Sequence, residues 1–272
     1  MMRGRWLTLF LAFTLIGTII LVALGHWQWN RRAEKRAFIA RIAEAAAQNP
    51  KPLHEATIWD RVTVSGRFDV GRSVFIRTSR PAPKPGERDS RGRVPISGFG
   101  VMVISLFHAE FCDTNACGER AILVNRGFLP TPPSGEIPPL ATPAGRVTLT
   151  GFLRPSEREG LFPPYNDPAK GVFFFRVTEQ IARSLSFGQL PPSGSVHPAL
   201  NFTASVDVQA EAPDNAPPFG IDVPDLLKSI PDNHLEYAIT WWSLAITNLV
   251  VAAFFLRASR RRRDENAVTG ER

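Results

Sequence analysis

His234, Tyr237 and Trp241 are the residues of this chain best suited to chemistry. On a helix they fall at i, i+3 and i+7, hence on one face, while Glu236 and Trp242 point elsewhere. An imidazole at a helix mouth, backed by aromatic rings, suits a large flat apolar ligand that carries a metal. Haem is such a ligand, since imidazole binds its iron axially and aromatic faces pack on the macrocycle. His26, followed by Trp27 and Gln28, ends another apolar run at a comparable depth, so one site could draw on two imidazoles. Interfacial preference is the plainer explanation, because His, Trp and Tyr rings favour headgroup depth whatever their role.

Other chemistry is thinly supported. Of five histidines, none lies in an H-E-x-x-H pattern, and no G-x-S-x-G occurs. His54 and His108 read as surface or loop residues, and His197, before Pro198, as structural. The carboxylates are scattered, so the chain reads as a non-enzyme. Cys112 and Cys117 frame a turn-like Asp113-Thr114-Asn115-Ala116. In an oxidising compartment a hairpin-clamping disulfide is the simplest reading. Copper ligation is the sharper alternative, but two thiols without nearby His or Met are a poor copper signature.

The elements that must position these residues begin with two apolar runs. Residues 238–256 carry no charge and would span about 28 Å as a helix, close to one bilayer core. Five arginines follow between positions 257 and 263. Residues 6–24 are equally apolar. They are longer than a signal-peptide core and lack a small-x-small cleavage site, so they read as an uncleaved span. The arginine block places the C-terminus in the cytoplasm, and two spans return the N-terminus to the same side. Arg31, Arg32, Lys35 and Arg36 argue the reverse locally, but the block abutting the second span is denser. Net charge is +7, to which that block contributes five. Affinity for anionic membrane lipids follows, and no module for nucleic acid is visible.

The expected organisation is a cytoplasmic N-terminus at 1–5, a transmembrane helix at 6–25, an extracytoplasmic β-rich domain at 26–234, a second transmembrane helix at 235–256 and a basic cytoplasmic tail at 257–272. Within the middle region, apolar periodicity predicts a helix over 31–47, ended by Pro50 and Pro52. Strand patterns occupy 61–68, 73–78, 99–107, 121–128, 147–153 and 172–177, with one or two more within 196–208. A short helix is expected over 178–185. The stretches 79–93 and 131–143 are breaker-rich loops. The fold class is therefore membrane-anchored: two transmembrane helices flank one mainly antiparallel β domain, barrel-like or sandwich, with one or two short helices.

Four motifs, in order along nearly the whole chain, resemble the Surfeit locus protein 1 family of cytochrome c oxidase assembly factors. Gly25-His26-Trp27-Gln28 resembles its G-x-W-Q element, and 124–130 (VNRGFLP) its V-N-R-G-W-x-P strand. Asn166-Asp167-Pro168 resembles its N-D-P turn. The longest match, 233–241 (NHLEYAITW), is similar to its N-H-L-x-Y-A-x-T-W motif. Departures are Phe128, Phe173 and Phe175 at positions where tryptophan is usual, and Val177 where an acid is usual. Aromatic swaps of this kind keep the packing surface and lose the indole N–H donor.

The resemblance implies a role in building subunit I of haem–copper oxidases, with haem a as transient cargo. It implies cytochrome c oxidase subunit I and haem a synthase as partners. It also implies either the mitochondrial inner membrane or the bacterial plasma (inner) membrane; the brief Arg-rich first segment and the dense arginine tail favour the bacterial one, with the central domain periplasmic. His234 would then bind the haem iron, with Tyr237 and Trp241 lining the macrocycle and His26, Trp27 and Gln28 on the facing helix. Arg31, Arg32 or Arg126 would pair with the propionates. The alternative is a scaffold that grips an oxidase subunit and binds no haem, using His234 and Trp241 as a helix-docking surface.

Overall fold

The first helix, α1, runs unbroken from Met2 to Ala47 in a computed structural model of the chain. Residues 2–89, 91–112, 117–185, 204–209, 218, 220–228, 230 and 232–269 are described, with side chains from Arg5 to Arg262 outside 111–117 and 204. The two helical stretches expected over 6–25 and 31–47 are thus one helix, because no proline interrupts the sequence between them. The chain divides into two compact units: Met1–Ala40 with Ile230–Arg272, and Arg41–Ser229.

The second unit holds β1 (Lys51–Pro52), β2 (Arg61–Arg80), β3 (Gly98–Cys112), β4 (Cys117–Pro130), β5 (Arg146–Pro155), α2 (Thr178–Leu185), β6 (Ala204–Val208) and α3 (Val223–Lys228). The strands form a six-stranded sheet in the order β1-β2-β3-β4-β6-β5, and β5 also pairs with β2, so the ladder returns on itself. The long central pairings are antiparallel, whereas β4–β6 and β1–β2 are parallel. Closure leaves most strands paired on both sides, which removes exposed edges. Cys112 and Cys117 stand opposite one another in register. Their side chains, and the part of 196–208 before Ala204, lie outside the described residues.

Alternation along the strands gives the sheet two apolar faces. Val62, Val64, Phe107, Val124, Leu149 and Val206 fill one cluster. Ile76, Ile104, Leu123, Phe173, Ile181 and Leu185 form another, where α2 and the Phe173 segment cover the sheet. α2 forms over 178–185 as its pattern predicts, burying Ile181, Ala182 and Leu185.

Two asparagines explain departures from simple strand reading. In β4, Val103 of β3 faces Gly127 and Ile104 faces Asn125, so Arg126 is an extra, bulged residue. Asn125 Oδ1 accepts the Gly127 N–H at 3.1 Å. Gly127 takes φ +119, and a Cβ there would lie 2.7 Å from the Gly220 nitrogen. The bulge turns Arg126 fully inward, over the Phe68 ring at 5.1 Å and within 3.0 Å of the Thr142 hydroxyl. Burial pushes its pKa down to about 10, so it stays charged at neutral pH. The second case is 172–177, which does not form a sheet strand. Asn166 Oδ1 accepts from the Phe174 and Phe175 amides at 2.8 and 3.0 Å. Its Nδ2 donates to the Phe175 carbonyl at 3.0 Å. A side chain thus supplies what a neighbouring strand would.

A buried ionic network ties β4, β5 and β6 together. Asp207 accepts from Asn125 at 3.1 Å, Arg154 at 3.1 Å and Arg176 at 2.7 Å, and all three partners of this single carboxylate come from distant sequence. Removing one member of a buried pair leaves its partners charged and unsatisfied. Asp207→Ala should therefore destabilise the β unit by about 3–5 kcal/mol in denaturant unfolding; a loss well under 1 kcal/mol would contradict this role.

Candidate functional site

The first unit is an antiparallel pair formed by α1 and α4 (His234–Thr269). Both helices are long and apolar enough to cross a membrane. Contacts recur along one seam. Phe10 meets Phe255 with ring centroids 4.4 Å apart. Asn248 Nδ2 donates to the Thr14 carbonyl and to the Thr18 hydroxyl, each at 3.0 Å. Gly25 and Ala238 are buried in the seam. Small residues let backbones approach, and a polar cross-link fixes register where apolar faces alone would slide.

The candidate site lies where this seam ends. The His234 Nδ1–H donates to Gln28 Oε1 at 2.8 Å. An amide oxygen can only accept, so Nδ1 carries the proton and the lone pair of the neutral ring sits on Nε2. Nε2 is then the atom able to bind a metal, and Gln28 fixes the ring as orienting partners of metal-binding histidines commonly do. Below the pair, Trp242 packs on Gly25, where a Cβ would come within 2.3 Å of the indole nitrogen. Trp29 and Trp242 rings lie 6.0 Å apart. Asp232 Oδ2 faces Arg36 Nε at 3.7 Å.

The structure thus unites His234 and Gln28 and leaves other predicted residues around them. Trp27 and Tyr237 are 56% and 55% exposed, Trp241 is half-buried, and His26 is exposed on α1. No hydrogen bond or ion pair joins His26 to His234 among the described residues. Trp242, which spacing assigned to another face, lies in the seam. The reason is that the helix pair selects the face of Ala238, Ala245 and Ala252, all buried, and Trp242 flanks that stripe. Asn248 was missed altogether, although an asparagine inside an apolar run is a visible signal. Arg126 is fully buried in the β unit, where it donates to the Thr142 hydroxyl. Arg31 pairs with Glu34 at 2.6 Å. Among the described residues no group of three or more His, Cys, Asp or Glu side chains gathers as a metal cage.

The seam makes a direct prediction. Gly25→Val would drive Trp242 off α1 and overpack the pair, at a cost of about 1–3 kcal/mol. Unfolding of the purified chain in detergent should shift accordingly, and an unchanged midpoint would argue against this packing.

Comparison with known proteins accords with these motifs. The SURF1 family matches residues 15–246. Surfeit locus protein 1 of Rattus norvegicus is 25% identical over 255 residues, covering 88% of this chain and 71% of the relative. The Homo sapiens protein of that name is 26% identical over 270 residues, covering 94% and 78%. A SURF1-like protein of Rickettsia conorii is 24% identical over 256 residues, covering 91% and 89%. With a family match that begins inside α1, takes in every strand and ends inside α4, this chain belongs to the SURF1 family.

Proposed function

We propose that this protein is a membrane-anchored assembly factor for haem–copper (cytochrome c) oxidase that carries haem a to subunit I, with His234 as axial ligand. The observation that supports the ligand assignment is the 2.8 Å bond from His234 to Gln28, which leaves Nε2 as the free donor. Family membership supports the assembly role. Exposed Trp27 and Tyr237 and half-buried Trp241 supply aromatic surface beside that donor for a macrocycle. In this reading α1 and α4 cross the bacterial plasma membrane, the β unit is periplasmic, and the arginines after residue 256 lie on the cytoplasmic side. Haem a synthase would supply the cargo, and oxidase subunit I would receive it.

The residues suit transfer better than storage. One imidazole gives one protein bond to the iron, and the open surroundings of Tyr237 and Trp27 do not seal the cargo in. The chain needs no acid–base machinery for this role, which makes it a chaperone and not an enzyme. Gln28 contributes by holding the tautomer, a task with measurable weight.

The test is a reduced-minus-oxidised spectrum and pyridine haemochrome of the chain purified from cells that make haem a. The wild type should carry haem a and His234→Ala none, with membrane insertion retained. Gln28→Leu should weaken binding by about 10–100-fold. Undiminished haem in His234→Ala would end the ligand assignment. A colourless wild type that still co-purifies with subunit I would favour a scaffold that grips the subunit without haem.

A further inference from the structure

The β unit contains a half-open cavity of about 990 Å³, far from small for a single ligand. Its floor follows from strand register. Ile76, Thr78 and Arg80 project from one face of β2; Met102 stands opposite Ile76, and Phe128 opposite Met102. Ile104 and Phe174 extend the apolar lining, and Arg80, Arg154 and Arg176 are the basic side chains that matter here.

Among the described residues six acidic and six basic side chains line this cavity, so their charges sum to zero and what is uneven is their pairing. Asp207 is taken by Arg154 and Arg176, Asp222 by Arg91, and Asp89 by Arg93. Glu157 accepts from the Arg176 amide and faces its guanidinium at 3.4 Å. Arg80 has no acid or hydrogen-bond acceptor among the described residues. It rests on the Phe128 ring, 4.6 Å from the centroid, and burial lowers its pKa. That ring is itself braced by Gly100, where a Cβ would lie 2.5 Å from Cζ. The platform therefore holds a guanidinium with its fork of donors unused. Arg154 and Arg176 each add a buried Nε–H without an acceptor among the described residues. Desolvated cations without counter-charge are costly, and a bound anion removes that cost.

We propose that this cavity binds a small amphipathic carboxylate, its head on the Arg80 guanidinium and its apolar body against Ile76, Met102, Ile104 and Phe174. One unpaired, planar guanidinium matches one planar monoanion, and bidentate pairing supplies the orientation. The apolar floor accounts for the body. The site lies wholly within the β unit and does not depend on the haem reading.

The experiment uses the full chain in neutral-lipid nanodiscs, with empty nanodiscs as blank. Calorimetric titration compares 1-naphthoate with its uncharged analogue 1-naphthamide. Naphthoate should bind about tenfold or more tightly than naphthamide, the scale of a charge-assisted pair. Arg80→Gln should erase that preference, while Glu110→Gln, at the exposed Arg146 pair, should retain it. Thermal stability of Arg80→Gln should change little, since only the Phe128 ring contact and no internal ion pair is lost. Equal affinities for the two probes, no binding of either at millimolar concentration, or an undiminished preference in Arg80→Gln would each overturn the proposal.

Discussion

Two apolar helices gain little by meeting if their surroundings are as apolar as they are, so their pairing must come from close packing and polar cross-links. That constraint governs the first unit. Gly25 admits the Trp242 indole, and Asn248 reaches across to Thr14 and Thr18. Those contacts set the register that brings Gln28 opposite His234. Slide one helix by a turn and the orienting bond is gone. The chemistry proposed for His234 therefore depends on residues well below it on the helices, none of which would touch a ligand.

The β unit obeys a different constraint. Its closed ladder satisfies backbone groups strand by strand, and what remains is side-chain charge inside a small fold. Asp207 gathers two arginines and an asparagine. Arg126, forced inward by its bulge, finds the Thr142 hydroxyl and an aromatic face. Among the described residues Arg80 finds only an aromatic face. The contrast between these guanidiniums separates the structural ones from the one left for a ligand.

Much of this was legible beforehand, for identifiable reasons. The strands at 99–107, 121–128 and 147–153 follow from runs rich in apolar and β-branched residues, and the structure extends each of them. The stretches 61–68 and 73–78 read as separate strands; they are one, β2, whose pairing with β3 is merely interrupted between Phe68 and Ser73. Residues 172–177 have the composition of a strand, yet Asn166 occupies their backbone groups, a side-chain event no periodicity reveals. The motif around His234 marks the start of α4, where the structure sets His234 beside Gln28. Its partner Gln28 came from the resemblance, because a contact between residues so far apart in sequence leaves no local signal. Trp242 was misplaced because helical spacing defines faces without saying which face a partner helix will choose.

The central claim is that His234 Nε2 binds the iron of the cargo. It can be examined at the bond itself by pulsed electron paramagnetic resonance on protein labelled with [15N]histidine and loaded with ferric haem a. The account predicts a strong 15N coupling from one axial imidazole, in addition to the unlabelled macrocycle nitrogens. A loaded protein showing only the macrocycle nitrogens would contradict it, and the role of His234 would then be confined to holding the two helices in register.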